Sequence, residues 1–325
     1  MKSSRTCRLA GLFALSFTFS LALVSLGAED RISWDFAARA EFSCLGATTY
    51  DPFRVDGQTV LSGKVTFPAF RGSGFFFDTN FLSLGLETRL SSDTFVIASR
   101  IALQPIQPVI IEAGGSVGTG WTVGAGAGRL VGLALNPSND AIPVQEIPWG
   151  GFVERLWVSA RLQLSAEQFT LSPWLRIYLE AEPRLEYQRL TAAGTGEAWL
   201  WQGDDGMNFN GFTFKPSLFV GYRPPIMYGP DDIGLGVEME TWLFDVAASS
   251  PAGSGGWGSD LLLPTFVFRV HWSIDAWSKI SMRAFIPPFI EWTPASANLH
   301  RYFGNRAYSG TNYAFGLTVA YTYEY

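Results

Sequence analysis

Apolar and polar positions alternate without a break at the end of the chain. Tyr313, Phe315, Leu317, Val319, Tyr321, Tyr323 and Tyr325 form one set, and Asn312, Ala314, Gly316, Thr318, Ala320, Thr322 and Glu324 the other. Successive side chains on a β-strand point to opposite faces, so this segment is predicted to be a two-faced strand. Aromatics sit at both ends of its apolar face, with Leu317 and Val319 between them. From Tyr313 to Tyr323, at roughly 3.3 Å per residue and a tilt of about 40°, the strand rises roughly 25 Å. That is the height of a lipid-facing band between two aromatic girdles.

The same period recurs upstream. Ile32, Trp34, Phe36, Ala38, Ala40 and Phe42 oppose Ser33, Asp35, Arg39 and Glu41. Leu82, Leu84, Leu86 and Leu90 oppose Ser83, Glu87 and Arg89. Leu171, Leu175, Ile177, Leu179, Leu185 and Tyr187 oppose Arg176, Glu180, Glu182, Arg184 and Glu186. Comparable patterns run through Phe212–Tyr222, Ile233–Leu243, Phe266–Ile274 and Ile280–Ala284. Glu154 is the one charge on an apolar face, beside Phe152, Leu156, Val158 and Leu162; its place near the start of its strand predicts a position at or above the lipid interface.

Connections come in two lengths. Ser165–Gln168 and Asp275–Ser278 are short, Arg223–Asp231 is intermediate, and Asn136–Gly150, Thr191–Gly206, Ala248–Gly258 and Thr293–Thr311 are long. Short inner turns and long outer loops are the habit of membrane barrels. The alternation predicts twelve strands, near residues 31–44, 60–70, 80–90, 93–103, 116–128, 151–164, 169–188, 208–222, 232–246, 262–275, 278–291 and 310–325, with both chain ends on the periplasmic side. The count places the tight turn at Ser91–Asp93 on the outer side. A second partition breaks Gly114–Gly132 into a hairpin and drops the strand at 60–70; it also gives twelve, and ten or fourteen are the neighbouring even counts.

Composition explains why the apolar pattern never becomes a continuous run. Only 16% of residues are charged, against roughly 25% in ordinary soluble domains. Yet no long apolar segment follows the first thirty residues, so no internal transmembrane helix is predicted. The N-terminus reads as a secretory signal peptide over residues 1–28, with Lys2, Arg5 and Arg8 before the uncharged stretch Leu9–Leu26. Cleavage after Ala28 or after Gly27 fits the small residues there. Residues 29–325 then form a single barrel domain, and loss of three basic residues takes the net charge from −6 to −9. That balance excludes nucleic acid as a partner class. Cys7 leaves with the signal, so Cys44 stands alone, with no disulfide or thiolate metal site.

The terminal strand resembles the C-terminal assembly signal of bacterial outer-membrane β-barrel proteins, the porin-like class: it ends on Tyr325, with Tyr323 two residues before and polar Thr318 upstream. Two positions depart from that pattern, Tyr in place of the usual final Phe and Ala320 where Gly is common. The resemblance covers about a dozen residues and implies an exported, all-β, transmembrane antiparallel up-and-down barrel in the bacterial outer membrane. Its partners would be outer-membrane lipid and, through the C-terminal strand, the assembly machinery. Trp34, Tyr313, Phe315, Tyr321, Tyr323 and Tyr325 are the predicted girdle residues.

If the apolar face meets lipid, the other face lines the interior. The pore-lining candidates are Arg39, Arg89, Arg155, Arg161, Arg176, Glu180, Glu182, Arg184, Glu238, Glu240, Arg269, His271 and Arg283, with Arg100, Lys215, Arg223, Asp35, Glu41, Glu87, Glu186, Asp245 and Asp275 on the same face. Bases concentrate partly in 155–184 and acids partly in 180–186 and 238–245, which predicts oppositely charged walls. The expected function is passive diffusion of small polar solutes through a narrow pore. The alternative is a sealed barrel, cross-braced by ion pairs, that acts through its loops. The loop with Trp199, Trp201, Asp204 and Asp205 and that with His300, Arg301, Tyr302 and Arg306 read as solvated surface, with inward folding as the other option. No catalytic residues are assigned: His271 and Asp275 share a face but lie about 13 Å apart along a strand. No cofactor, metal cluster, phosphate loop or dinucleotide motif is expected.

Overall fold

The computed structural model describes residues 32–47, 54–72, 74, 76–124, 130–136, 145–168, 174–201, 206–225, 229–243, 263–275, 277–286 and 314–324. Twelve antiparallel strands close into one up-and-down barrel. They are β1 (Ser33–Ala47), β2 (Arg54–Pro68), β3 (Phe81–Ser91), β4 (Thr94–Ile106), β5 (Val109–Gly120) and β6 (Val153–Ser165). β7 comprises Ile177–Glu182 and Arg184–Leu190, and β8 comprises Gly211–Phe214 and Ser217–Tyr222. β9 (Asp232–Trp242), β10 (Leu263–Ser273), β11 (Ser278–Ile286) and β12 (Ala314–Glu324) complete the wall. Each strand pairs with its successor, and β12 returns to β1 in a register running from Ala37 opposite Glu324 to Ala47 opposite Ala314. Closure leaves no free sheet edge. The two interruptions fall at Pro183 and Pro216, where proline has no N–H to give the ladder.

The faces sort as the period-two pattern requires. Outward positions carry large apolar side chains open to the surroundings: Trp34, Phe36 and Phe42 on β1, Leu156 and Val158 on β6, Leu235 on β9, Val319, Tyr321 and Tyr323 on β12. A water-soluble domain would bury this surface; a wall of it around a whole barrel is the transmembrane type. Glu154 stays on the outward face near the start of β6, as predicted, but it is not the one outward charge: Arg189 of β7 stands opposite it in register. Tyr313 and Tyr325 lie outside the described residues, as does the predicted signal segment 1–28.

Both barrel termini, Ser33 and Glu324, lie at one end, the consequence of an even strand number. That end also holds the connections 69–80, 107–108, 166–176, 223–231 and 274–277, and the long loops lie at the other. The turn at Ser92–Asp93 falls at the long-loop end, fastened by the Ser91 hydroxyl, which accepts from the amides of Asp93 and Thr94. Three strands differ clearly from the expectation. β7 begins at Ile177 where 169 was expected, with residues 174–176 outside the strand. β2 begins at Arg54, six residues before the predicted start. β5 spans Val109–Gly120 in place of 116–128, with residues Thr122–Val123 and Leu130–Val131 forming a separate two-stranded ribbon.

Candidate functional site: the barrel interior and its cap

Antiparallel partners in register share a face, so the interior can be followed strand by strand. On β6 the inward residues are Val153, Arg155, Trp157, Ser159, Arg161, Gln163 and Ser165; on β7 they are Tyr178, Glu180, Glu182, Arg184, Glu186, Gln188 and Leu190. Arg39, Glu41, Arg89, Arg100, Glu238, Glu240, Arg269, His271 and Arg283 all fall on the same inward face. Arg176 lies just before β7, where it faces Glu167 at 3.4 Å. Asp245, His300, Arg301, Tyr302 and Arg306 lie outside the described residues. Lys64, Glu112, Asp232 and Lys279 are inward charges that the sequence reading left out. Asp232 and Lys279 sit at an even spacing from Glu238 and Arg283 on their own strands, which was the available signal; the strands of Lys64 and Glu112 carry no other charge assigned inward from sequence.

The predicted separation into a basic and an acidic wall does not occur. Opposite charges pair closely instead: within β7, between β6 and β7, from β10 to β7 across the row of Gly234 and Gly221, and from β11 to β9. Arg161 donates to Glu182 at 2.8 Å, Arg184 to Glu186 at 2.7 Å, and Arg269 to Glu180 at 3.2 Å; Arg283 pairs with Glu238. Three cations converge on Glu186: Arg184, Lys215 at 3.0 Å and Arg155 at 3.9 Å. Lys215 also reaches Glu240 at 3.4 Å. Local pairing wins because a contact pair in a low-dielectric wall gains several times more Coulomb energy than charges held apart across water.

Aromatic rings lie beneath these guanidinium groups. Arg269 stacks over Phe219 at 4.3 Å, Arg184 over Trp157 at 4.8 Å, and Arg223 over Tyr178 at 4.8 Å. The rings need glycines on the next strand. A Cβ at Gly221 would come within 2.1 Å of the Tyr178 ring, one at Gly236 within 2.3 Å of Phe219, and one at Gly114 within 2.3 Å of Trp157. Tyr178 further ties the wall together: its hydroxyl donates to Asp232 at 2.6 Å and accepts from Arg269 at 3.1 Å.

All these ion pairs run along the wall. None of the pairs named joins β1–β5 to β6–β11. Arg161 and Arg283 each keep 42% of their side-chain surface exposed, and Arg89 47%, so the mid-barrel lining is in contact with solvent.

The long-loop end is built differently. Residues Leu133–Asn136, Gln145–Glu146, Ala198–Trp201 and Gly206–Asn208 form a four-stranded sheet. It packs Leu133, Trp199 and Trp201 against Val96 of β4, Val153 of β6 and Leu190 of β7, all inward-facing. Trp199 is fully buried, so the reading of this loop as solvated surface is overturned for Trp199 and Trp201; Asp204 and Asp205 lie outside the described residues. Asn210 clamps the loop: its side chain accepts from the Leu190 amide at 2.7 Å and from Trp199 Nε1 at 3.0 Å, and donates to the Ala193 carbonyl at 3.1 Å. Trp201 lies over Gly118 of β5 and beneath Arg155 at 4.7 Å. The cap thus occupies the β4–β7 side of the mouth. On the outer rim Trp149, at φ 58°, stacks on Trp121 with centroids 4.6 Å apart.

His271 does not assemble a reactive group. Asp232 and Ser281 stand opposite it in register, but Asp232 is held by Tyr178, with Arg223 at 3.7 Å and Arg269 at 4.0 Å. Asp275 is committed to the turn, accepting from the amides of Trp277 and Ser278 at 2.7 Å; these two hydrogen bonds hold its carboxyl below the usual aspartate pKa. Among the described residues there is no group of three or more His, Cys, Asp or Glu able to hold a metal ion.

No family model matches the chain, and no curated protein does. Among solved structures it is similar to an outer membrane channel from Pseudomonas putida F1, at 10% identity over 93% of this chain and 98% of that one, with a TM-score of 0.40. It is similar to the translocator domain of the autotransporter NalP from Neisseria meningitidis, at 10% identity over 99% of both chains and a TM-score of 0.38. It is also similar to the KdgM porin solved with oligogalacturonate, at 9% identity over 86% of this chain and 97% of that one, with a TM-score of 0.32. These likenesses are to proteins of several different functions, and none of them assigns one to this chain.

Proposed function

We propose that the chain is exported with a cleaved signal peptide, spans the bacterial outer membrane as a barrel, and forms a channel that passes small polar solutes by passive diffusion. Outer-membrane lipid faces the apolar wall, the C-terminal strand engages the assembly machinery, and the charged inner residues line the pore. One observation carries this reading: the interior ion pairs run along the wall and stay open to solvent, as Arg161 with Glu182 and Arg283 with Glu238 do. A sealed small barrel instead fills its interior with side chains that meet across it. Twelve strands leave a lumen between that of a filled eight-stranded barrel and that of an open sixteen-stranded porin. The cap sheet favours a second reading, a barrel closed at its mouth and working through its loops, because Trp199, Trp201 and Leu133 close off part of that end.

Single-channel recording of the refolded full-length mature protein in a planar bilayer separates the two. The channel reading expects discrete, stable conductance steps; their absence sinks it. Replacing Arg176 and Arg184 with Ala leaves Glu167 and Glu186 short of a cation each, so the reversal potential in a salt gradient is expected to move toward cation preference.

A further inference from the structure

One inward cation stands apart from the ion-pair network. Arg100, on the inner face of β4, is exposed, and among the described residues it has neither an ion pair nor a hydrogen bond. Its immediate neighbours in the wall are small, and on one flank the Trp157 ring covers Gly114. The register partners on either side are Gly85 and Gly114, and the inward neighbours along its own strand are Ala98 and Ala102. The side chain lies across Gly85, where a Cβ would come within 2.9 Å of Arg100 Nε. The nearby acids are committed elsewhere. Glu87 pairs with Arg89, and Glu112 accepts from Trp157 Nε1 at 3.3 Å. Lys64, the next cation along the row beyond Gly85, is matched by Asp35 at 3.1 Å. The other inward cations β6 to β11 contribute each have an acid within 4.0 Å.

We propose that Arg100 is the anion-binding residue of the lumen, a site for a small oxyanion such as a carboxylate or phosphate group. A guanidinium has a fork of donors matched to such oxygens, and it stays charged at every working pH. The paired arginines spend that fork on protein carboxylates; Arg100 keeps it for the solute. With Gly85 beneath the side chain, Trp157 on the Gly114 flank and only alanines beside it on β4, the exposed guanidinium is open to an ion from the lumen. The inference rests on the channel reading and adds a charge preference and a locus to it.

The test is bilayer recording of wild-type, Arg100→Ala and Arg100→Lys proteins, each refolded with its signal segment removed. In a potassium chloride gradient the alanine variant is expected to lower the anion-to-cation permeability ratio by about three- to fivefold, the order a single contact charge contributes in water. Inorganic phosphate and acetate are then added separately to identify the oxyanion class. Either is expected to reduce wild-type chloride current, less in the lysine variant, and not in the alanine variant. Normal unitary conductance with an unchanged ratio and unchanged block in Arg100→Ala overturns the site while leaving the channel reading intact. No conductance steps from the wild type overturn both.

Discussion

At the residue scale the interior is organised by pairs of unlike size: a glycine on one strand and a ring or guanidinium from the next lying on it. Tyr178 over Gly221 is the tightest of these. The pattern HPHP shows which side of a strand faces in, but a glycine contributes nothing to that pattern, so the ring that covers it was not readable from alternation alone. A methyl at Gly221 has no free volume; the Tyr178 ring must rotate out, breaking its hydrogen bond to Asp232 and its stack beneath Arg223. Overpacking of this kind costs about 1–3 kcal/mol. Gly221→Ala is therefore expected to lower the urea midpoint for unfolding in detergent micelles, and Gly221→Ala combined with Tyr178→Ala to recover part of the loss. A double variant no better than the single one would mean that the contact is not what limits the site. Charges were more legible than their partners. Alternation with the apolar residues of their own strands put Arg161, Glu182 and Arg184 inside, while the pairing of Arg161 with Glu182 depends on a register that only strand-to-strand hydrogen bonding sets.

At the scale of elements, most strands with bulky outward residues were found within a few residues of their ends, β2 and β7 began six and eight residues from their expected starts, and β5 was displaced. Its sequence after Pro108 carries Gly114, Gly115, Gly118 and Gly120, so neither face announces itself. The inner face of β5 is glycine because Trp157 and Trp201 fill that space from other elements. The loop sheet was missed for the opposite reason. Ala198–Trp201 and Leu133–Asn136 are short, almost wholly apolar runs without alternation, and they stand in segments whose length and polar composition read as surface. What holds that sheet is Asn210, whose amide replaces the ladder partners that the ends of the loop lack. Asn210→Ala leaves the Leu190 amide and the Trp199 indole N–H without acceptors in a buried setting, at about 1–3 kcal/mol each. The expected result is faster hydrogen exchange over residues 198–201 with barrel-strand protection unchanged. In bilayers, conductance should be larger or noisier as Trp201 leaves the wall. Uniform loss of protection across β4 to β7 would show instead that cap and barrel fold as one unit.

For the whole molecule, the decisive quantity is the environment of the outward face. Leu235, on β9, is 65% exposed and lies between Val220 of β8 and Phe268 of β10 in the same outward row. In water that exposure costs little per residue, but a full turn of the barrel built this way is an aggregation hazard; in a bilayer it is the solvated state. The two environments predict opposite responses to charge. Leu235→Arg is expected to destabilise the protein folded into lipid vesicles by about 2–4 kcal/mol, the depth-dependent cost of a cation on the lipid face near the midplane. The equivalent change at the rim, Phe152→Arg, falls just before β6, beside Glu154 and its register partner Arg189, and is expected to cost at most about 1 kcal/mol. Measured by urea titration of vesicle-folded protein, the ratio between the two variants reads out where the lipid boundary runs along β6 and β9. Equal, small costs at both positions would mean that the apolar wall does not sit in hydrocarbon, and the barrel would have to be covered by something other than lipid.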